Sequence, residues 1–288
     1  MLLQILVPHK NQPNKLIRLL ESIPLEVSVI VVDDNSASYH FDTCKQAVDE
    51  RFANVVLLRN DTGVNNAGVA RNLALAHANA EWVIFADSDD QFYTEKFLEL
   101  MGFIEKSDAD LVFFDVNSIK EGDGTPSDRA NPYSGLIDIW PLNKNTIAYQ
   151  WVVPWGKVIR KSELIDKHGL RFASRIVSND VEFATDLAVV SDNVDVFKGL
   201  VYCCFESNTS LTGSLTSEKA RIRLQASSAR NATLYKNRVP IHYNYNVQWF
   251  VKSLPLIFKE FDILTVMLFL KNLCVSSVGN FLNVFRRS

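Results

Sequence analysis

Three polar segments that could do chemistry each directly follow a run of apolar residues in the first third of the chain. They read Pro8-His9-Lys10-Asn11, Asp33-Asp34-Asn35-Ser36 and Asp87-Ser88-Asp89-Asp90. Their carboxylates would repel one another if held together without a cation. Two carboxylates at positions i and i+2 can both reach one hard cation, and phosphate oxygens can complete its octahedral shell. The third segment therefore predicts a divalent-cation site, with turn chemistry as the alternative because Asp, Asn and Ser favour turns and N-caps.

A fourth segment, Gly63 to Asn72, is a Gly- and Asn-rich loop that opens a predicted helix. It reads GVNNAGVARN and places Arg71 in the first turns of that helix. Such a helix start can hold a phosphate or orient an acid. The chain contains neither a Gly-x-Gly-x-x-Gly fingerprint nor a P-loop. Taken alone, the segment is therefore also explained as a plain helix start.

Two later segments each allow a functional and a structural explanation. Ser178 to Phe183 reads SNDVEF, which either supplies an acid or caps a helix, with Asn179 at the N-cap and Glu182 three residues later. Trp151 to Lys157 reads WVVPWGK. Its tryptophans and lysine could line a pocket in which sugar faces stack on aromatic rings. The alternative is a tryptophan in the core beside a solvated lysine.

Short β-type runs alternate with helical stretches through the first 116 residues. We predict strands at 2–8, 27–32, 55–58, 82–86 and 111–116, and helices at 14–22, 41–52, 68–79 and 94–104. Alternation at this spacing produces right-handed βαβ units and an open parallel sheet with helices on both faces. Ligands bind beyond the carboxyl ends of such strands, which is where the first three polar segments lie.

The second half of the chain has a less regular pattern. We predict a loop at 121–134, helices at 161–168, 180–190 and 216–237, and strands at 194–196 and 200–205. The segment 247–288 is dense in Leu, Phe, Val and Ile, but its longest uncharged run, 272–285, is shorter than the ~20 residues of a spanning helix. We predict helices there that contact the inner face of the cell membrane or a second copy, or that pack on the preceding domain.

Composition excludes several classes of protein. Lys and Arg number 30 against 33 Asp and Glu, so the basic field typical of a nucleic-acid-binding protein is absent. The cysteines Cys44, Cys203, Cys204 and Cys274 are scattered or adjacent, which fits reduced core thiols rather than a disulfide framework or a metal site. The first apolar run is too short for a signal peptide. These features favour a cytoplasmic protein.

Taken together, the segments resemble the glycosyltransferase family 2 pattern on the GT-A fold. The resemblance covers roughly residues 2–213 and rests on six segments in order, namely 5–11, 33–36, 68–72, 85–90, 154–157 and 179–183. It implies a Rossmann-like α/β domain, a mostly parallel sheet flanked by helices. This catalytic domain would span 1–213, with a nucleotide-binding half at 1–117 and an acceptor-binding half at 136–213. A C-terminal helical region would follow at 214–288.

The chain departs from the family pattern in two places. The acidic motif of the family usually reads Glu-Asp, and here it reads Asn179-Asp180. The aromatic-rich stretch that usually follows the position of Tyr202 is here Cys203-Cys204-Phe205. The first departure leaves the expected base in place, and the second removes residues that could contact phosphate.

The resemblance implies inverting transfer of a sugar from a nucleotide-sugar donor, expected to be a UDP-sugar. The acceptor would be a hydroxyl group of a glycan or lipid-linked molecule in bacterial surface polysaccharide or lipopolysaccharide synthesis. Asp180 would be the general base, and Asp89 with Asp87 would hold Mn²⁺ or Mg²⁺. Asp34 would accept a hydrogen bond from uracil or ribose, and Arg71 would position the nucleotide. The other expected contacts are Pro8, His9, Asn11 and Ser88 for the nucleotide, and Trp155, Lys157 and Asn179 for the donor or acceptor sugar.

Three other functions are less consistent with these residues. A haloacid dehalogenase-type phosphatase has Thr or Val where Gln91 stands, and its nucleophile usually lies on the first strand. A sugar nucleotidyltransferase has a Gly-rich opening loop with an Arg, which is missing here. The third alternative is a catalytically inactive GT-A-like binding or scaffold module of a polysaccharide assembly complex. The joint presence of Asp87, Asp89 and Asp180 argues against it.

Overall fold

The computed structural model describes residues 1–139, 144–207 and 216–240, together with Ile263 and Met267. The strands in these ranges are β1 (Leu3–His9), β2 (Ser28–Asp33), β3 (Val55–Arg59), β4 (Trp82–Phe85), β5 (Gln91–Phe92), β6 (Leu111–Lys120), β7 (Lys157–Arg160) and β8 (Val194–Glu206). The α-helices are α1 (Pro13–Glu21), α2 (Ser38–Arg51), α3 (Ala67–His77), α4 (Thr94–Ile104), α5 (Asn131–Asp138), α6 (Lys144–Gln150), α7 (Val181–Val190) and α8 (Ser217–Lys236). A π-helical turn follows β7 at Lys161–Asp166.

The strands form one sheet in the order β3-β2-β1-β4-β7-β6-β8-β5. β1 pairs in parallel with β2 and β4, β2 with β3, and β6 with β8. Only β7, between β4 and β6, and β5, at the edge next to β8, run antiparallel to their neighbours among the described strands. The prediction of a mostly parallel α/β sheet is therefore confirmed. The sequence did not predict β5 or β7, and β7 separates β6 from the parallel block formed by the first four strands.

The burial of the central strands explains why the first strands could be predicted from the sequence. Every residue of β1 is buried, because helices cover both faces of a parallel sheet and its strands are therefore nearly continuous apolar runs. Helix α1 buries a stripe formed by Leu16, Leu19 and Leu20 against this sheet. Cys44, Cys203 and Cys204 are free and buried, as predicted, and Cys274 lies outside the described residues.

Three predictions for the second half are corrected by the structure. The predicted loop 121–134 ends earlier, because α5 begins at Asn131 with Pro132 in its first turn, where a missing N–H costs nothing. The two predicted strands at 194–196 and 200–205 are one strand, β8. Asn179 does not cap α7, since Asp180 is the N-cap residue and no side chain caps it.

Helix α8 confirms the predicted helix at 216–237 and packs on α7. Thr216 caps α8 by accepting a hydrogen bond from Lys219 N, and Arg230 Nη1 donates to Thr185 Oγ1 at 3.0 Å. Within the described part of the chain, every helix is too short or too polar to cross a membrane. The predicted helices of 247–288 lie outside the described residues, apart from Ile263 and Met267.

Candidate active site

The polar segments after β1 and β2 meet at the carboxyl edge of the sheet, as their parallel pairing requires. His9 is in register with Asp33, and Asp34 N donates to His9 O at 2.8 Å. Asn11 then bridges the two segments, because its N–H donates to Ser36 Oγ at 2.8 Å and its Oδ1 accepts from the N–H of residue 37 at 2.9 Å. Asn11 has φ 56°, a conformation that asparagine tolerates better than most residues.

Asp34 is a buried carboxylate with a fixed orientation. Its Oδ1 accepts a hydrogen bond from Asn60 Nδ2 at 2.7 Å, and Lys10 Nζ lies 3.5 Å from its Oδ2. Asn60 is fully buried and directly follows β3 at the same edge of the sheet. The sequence analysis did not select Asn60, although its position after a strand could have revealed it. The pair presents an oriented acceptor beside the two strand ends.

Pro8 and His9 lie beneath this edge rather than on its surface. His9 is 1% exposed, and its Nε2 lies 3.3 Å from Cys44 Sγ. Burial lowers the pKa of His9 to about 4, although Asp33 opposes this effect. His9 is therefore a neutral ring that supports the strand ends from below.

The segment after β4 forms an acidic cluster. Single carboxylate oxygens of Asp87, Asp89 and Asp90 all lie within 4.8 Å of one another. Asp90 is fully buried, and both of its oxygens already have protein donors: Tyr202 Oη and Phe205 N, each at 2.8 Å. Tyr202 Oη also accepts from Asp87 N at 2.9 Å. Asp90 thus anchors the segment, and Asp87 and Asp89 remain as the candidate ligands, with Ser88 half-buried between them.

The chemistry of this cluster suits a hard cation. Burial raises the pKa of Asp89, and the neighbouring Asp87 carboxylate raises it further. Both effects disfavour the charged form of Asp89 in this partly buried site, and a bound cation would offset them. Oxygen ligands from carboxylates are those that Mg²⁺ and Mn²⁺ prefer. The residues present therefore fit the predicted divalent metal.

Among the described residues, Arg129 is one of two arginines that supply the positive charge expected beside the acidic segments. Its Nη2 lies 3.9 Å from Asp87 Oδ2, and its Nη1 donates to Phe205 O at 3.0 Å. Burial lowers the pKa of Arg129, but the carboxylates of Asp90 and Asp87 outweigh burial and raise that pKa above its usual value. Arg129 comes from the predicted loop 121–134, where no motif or periodicity marked it.

Arg71 links the acidic cluster to the second half of the site. This buried side chain donates from Nη2 to Asp87 Oδ1 at 2.6 Å and from Nη1 to Asn179 Oδ1 at 2.8 Å. Asp180, the predicted base, follows Asn179 directly. Burial raises the pKa of Asp180, and the Arg71 guanidinium opposes that shift. The structure thus brings Arg71, Asp87, Asn179 and Asp180 into one network.

Trp155 and Lys157, expected at the sugar site, lie in the core behind it. Trp155 is 2% exposed and stacks on Tyr202, with ring centroids 6.1 Å apart. Lys157 is 1% exposed, and its Nζ donates to Trp151 O at 2.9 Å, so the alternative of a solvated lysine is wrong. Burial lowers the pKa of Lys157 to about 7, although Asp180 opposes this. In this structure the two side chains support the site without lining its surface.

Comparison with known proteins identifies related chains. The model of the family "Glycosyl transferase family 2" matches residues 4–160. The poly(ribitol-phosphate) beta-N-acetylglucosaminyltransferase TarS of Staphylococcus aureus is 30% identical over 203 residues, which are 67% of this chain and 31% of TarS. The putative teichuronic acid biosynthesis glycosyltransferase TuaG of Bacillus subtilis is 38% identical over 104 residues, 35% of this chain and 39% of TuaG. The chain thus spans about a third of the length of both relatives.

Solved structures match the fold. The structure of S. aureus TarS 1-349 in complex with UDP-GlcNAc matches with a TM-score of 0.65 at 20% identity. The match covers 81% of this chain and 66% of the TarS chain. Mannosyltransferase PcManGT from Pyrobaculum calidifontis, in complex with GDP-Man and Mn²⁺, has a TM-score of 0.57 at 15% identity, with coverages of 96% and 74%. These likenesses confirm the predicted GT-A fold. Because the family model matches more than half of the sequence, the chain belongs to glycosyl transferase family 2.

Proposed function

We propose that the chain transfers a sugar, with inversion, from a UDP-sugar to a hydroxyl group of a glycan or lipid-linked acceptor. The observation that carries the proposal is the Arg71 bridge. It joins Asp87, in a cluster suited to a cation and a diphosphate, to Asn179, and the residue after Asn179 is the carboxylate Asp180. A leaving-group site and a base are thus held by one buried side chain.

The strand ends at β1 and β2 support a nucleoside as the donor's leaving end. Asp34 is held by Asn60 at the carboxyl end of β2, and the N3–H of uracil or a ribose hydroxyl can donate a hydrogen bond to its carboxylate. TarS, a relative of this chain, has been solved in complex with UDP-GlcNAc, which supports uridine diphosphate as the leaving group.

Asp89 and Asp87 would hold the metal. When bound, Mn²⁺ or Mg²⁺ stabilises the negative charge that grows on the diphosphate as the glycosidic bond breaks. Arg129 brings a second positive charge to the same place, 3.9 Å from Asp87. The Mn²⁺ in the PcManGT complex supports the choice of metal.

Asp180 takes the proton of the acceptor hydroxyl in this proposal. The acceptor oxygen forms its bond to the anomeric carbon of the sugar as the bond from that carbon to the diphosphate oxygen breaks. A single displacement of this kind inverts the anomeric centre and needs no covalent enzyme intermediate. Burial raises the pKa of Asp180 and so brings that pKa closer to the operating pH, which favours general-base catalysis.

The acceptor is proposed from the names of the relatives. One is named as a poly(ribitol-phosphate) glycosyltransferase and the other as a putative teichuronic acid biosynthesis glycosyltransferase, so a polyhydroxylated surface polymer is the expected acceptor class. The predicted apolar helices of 247–288 would hold the protein at the inner face of the membrane, where a lipid-linked acceptor would be reached.

The test is a donor screen with the full chain. Release of the nucleoside diphosphate is measured with UDP-glucose, UDP-GlcNAc, UDP-galactose and, for comparison, GDP-mannose, each with Mn²⁺ and a hydroxylated polymer such as poly(ribitol-phosphate). The product is UDP from the first three donors and GDP from the fourth. We expect acceptor-dependent UDP release from one UDP-sugar, and release that is about a hundredfold or more slower with the Asp180→Asn variant. UDP binding without turnover on any donor would contradict the proposal and favour the inactive binding module.

A further inference from the structure

The loop before Asp180 is attached to the first turns of α3 by hydrogen bonds. Asn72 makes a reciprocal pair with the backbone of Phe172: its Nδ2 donates to Phe172 O, and its Oδ1 accepts from Phe172 N, both at 2.9 Å. Asn66 Nδ2 donates to Ser174 Oγ at 3.2 Å. These contacts join residues about one hundred positions apart in sequence, so they fix the position of the loop relative to α3.

Gly68 allows the backbones to approach closely at the same place. A methyl group at Gly68 would overlap the carbonyl oxygen of Ala173 and would lie 3.0 Å from Cβ of Asn179. The overlapping atom belongs to the backbone, so it cannot rotate away as the end of a side chain could. Any larger residue at 68 would therefore push the loop off α3.

Hydrogen bonds within this loop join its two ends, and the loop leads directly into Asp180, the predicted base. Ala173 N donates to Asn179 O at 3.0 Å, and Asn179 Nδ2 donates to Arg175 O at 3.2 Å. With both ends of the loop fixed in this way, its attachment to α3 sets where Asp180 lies. The same helix carries Arg71, which bonds Asp87 in the acidic cluster.

The polar groups of the Gly- and Asn-rich segment are thus largely engaged with protein. Asn66 Oδ1 caps α3 by accepting from Val69 N at 3.0 Å, and both polar atoms of the Asn72 side chain bond Phe172. We propose that Asn72 and Gly68 are positioning residues that hold the base Asp180 at a fixed distance from the donor. This inference rests on the proposed function.

The experiment measures Asn72→Ala in the full chain. Because a misplacement of about 1 Å can cost ~10²-fold in rate, we expect kcat to fall by ten- to a hundredfold. The KM for the UDP-sugar and the affinity for UDP should stay within about twofold, since Asn72 makes no contact with the acidic cluster among the described hydrogen bonds. Hydrogen exchange should become faster at the amides of residues 172–180.

The matched control is Asn54→Ala. Asn54 also bonds backbone, with Nδ2 donating to Val27 O at 2.7 Å, but it precedes β3 at the opposite edge of the sheet. Its loss should lower the melting temperature and leave kcat, KM and exchange at 172–180 unchanged. If Asn72→Ala does not fold, Gly68→Ala tests a second contact of the same attachment, with Ala173 and Asn179, and should give the same separation of kcat from KM.

Failure of the inference and failure of the proposed function give different results. A wild-type chain that transfers sugar, with an Asn72→Ala or Gly68→Ala variant of unchanged kcat, overturns only the inference. A folded wild type that transfers no sugar refutes the proposed function and the base-positioning role with it, even if exchange at 172–180 responds to Asn72→Ala.

Discussion

In the proposed donor half of the site, Asn11, Asp34 and Asp87 each follow a strand of the parallel block, at β1, β2 and β4. In the proposed base half, Asp180 follows a loop that side chains of α3 hold in place. The strand-end residues are placed by the backbone register of the sheet, for example by the pairing of His9 with Asp33. The proposed base, Asp180, is placed by a few contacts between residues distant in sequence. The two halves should therefore respond separately to mutation.

The largest effect is expected from Asp89→Ala, which tests the donor half. Metal stabilisation of a leaving group is worth several kcal/mol, so turnover should fall by about a thousandfold. UDP binding measured by calorimetry should lose its dependence on Mn²⁺. Since Asp89 follows a strand rather than lying within one, the melting temperature should change little. Unchanged Mn²⁺-dependent UDP affinity would contradict the assignment of Asp89 as a ligand.

Asp180→Asn tests the base half and should show the opposite pattern. Asn has a similar shape but cannot take a proton, so kcat should fall by about a hundredfold or more. Mn²⁺-dependent UDP affinity should stay close to that of wild type, because Asp180 is separated from the acidic cluster by the Arg71 bridge. A variant with normal kcat and a lower melting temperature would show a structural role only.

The same contrast explains what the sequence could predict. An apolar run followed by acidic residues marks a buried strand and its carboxyl end, so Asp34, Asp87 and Asp89 were readable from local pattern alone. Asn72 also lay in a selected motif, but its partner Phe172 is a hundred residues away and its polar atoms bond backbone. Neither fact has a local signature. The motif was therefore found, and its contact with the loop was not.

Residues of β7 and the 121–130 loop show why the rest was missed. β7 has four residues, and its place between β4 and β6 is set by antiparallel pairing at long range. Lysine is rarely buried, so Lys157 was expected near solvent rather than in a central strand. Arg129 comes from an irregular loop with no periodicity. Such residues follow from tertiary placement, which composition and spacing do not encode.

A prediction of pH dependence concerns His9, the buried ring next to the strand ends of the donor half. The pKa of His9 is lowered from 6.5 to about 4, so the folded state binds fewer protons than the unfolded state between these values. Stability from this group is complete above pH 6.5 and is lost as pH falls towards 4. Wild type should lose about 2 kcal/mol of unfolding free energy relative to His9→Leu between pH 7 and pH 5. Parallel stability curves in chemical denaturation would contradict this.

The smallest expected effect tests where the two halves meet. Arg129 comes from the connection between them, yet its guanidinium lies 3.9 Å from Asp87 in the donor half. A positive charge there opposes a metal cation by about 1 kcal/mol after screening, or roughly fivefold in affinity. Arg129→Gln should therefore bind Mn²⁺ about fivefold more tightly in calorimetry. Arg51→Gln, which removes an exposed ion pair with Glu21, should not change it. Weaker Mn²⁺ binding by Arg129→Gln would show instead that Arg129 holds the carboxylates in place for the cation.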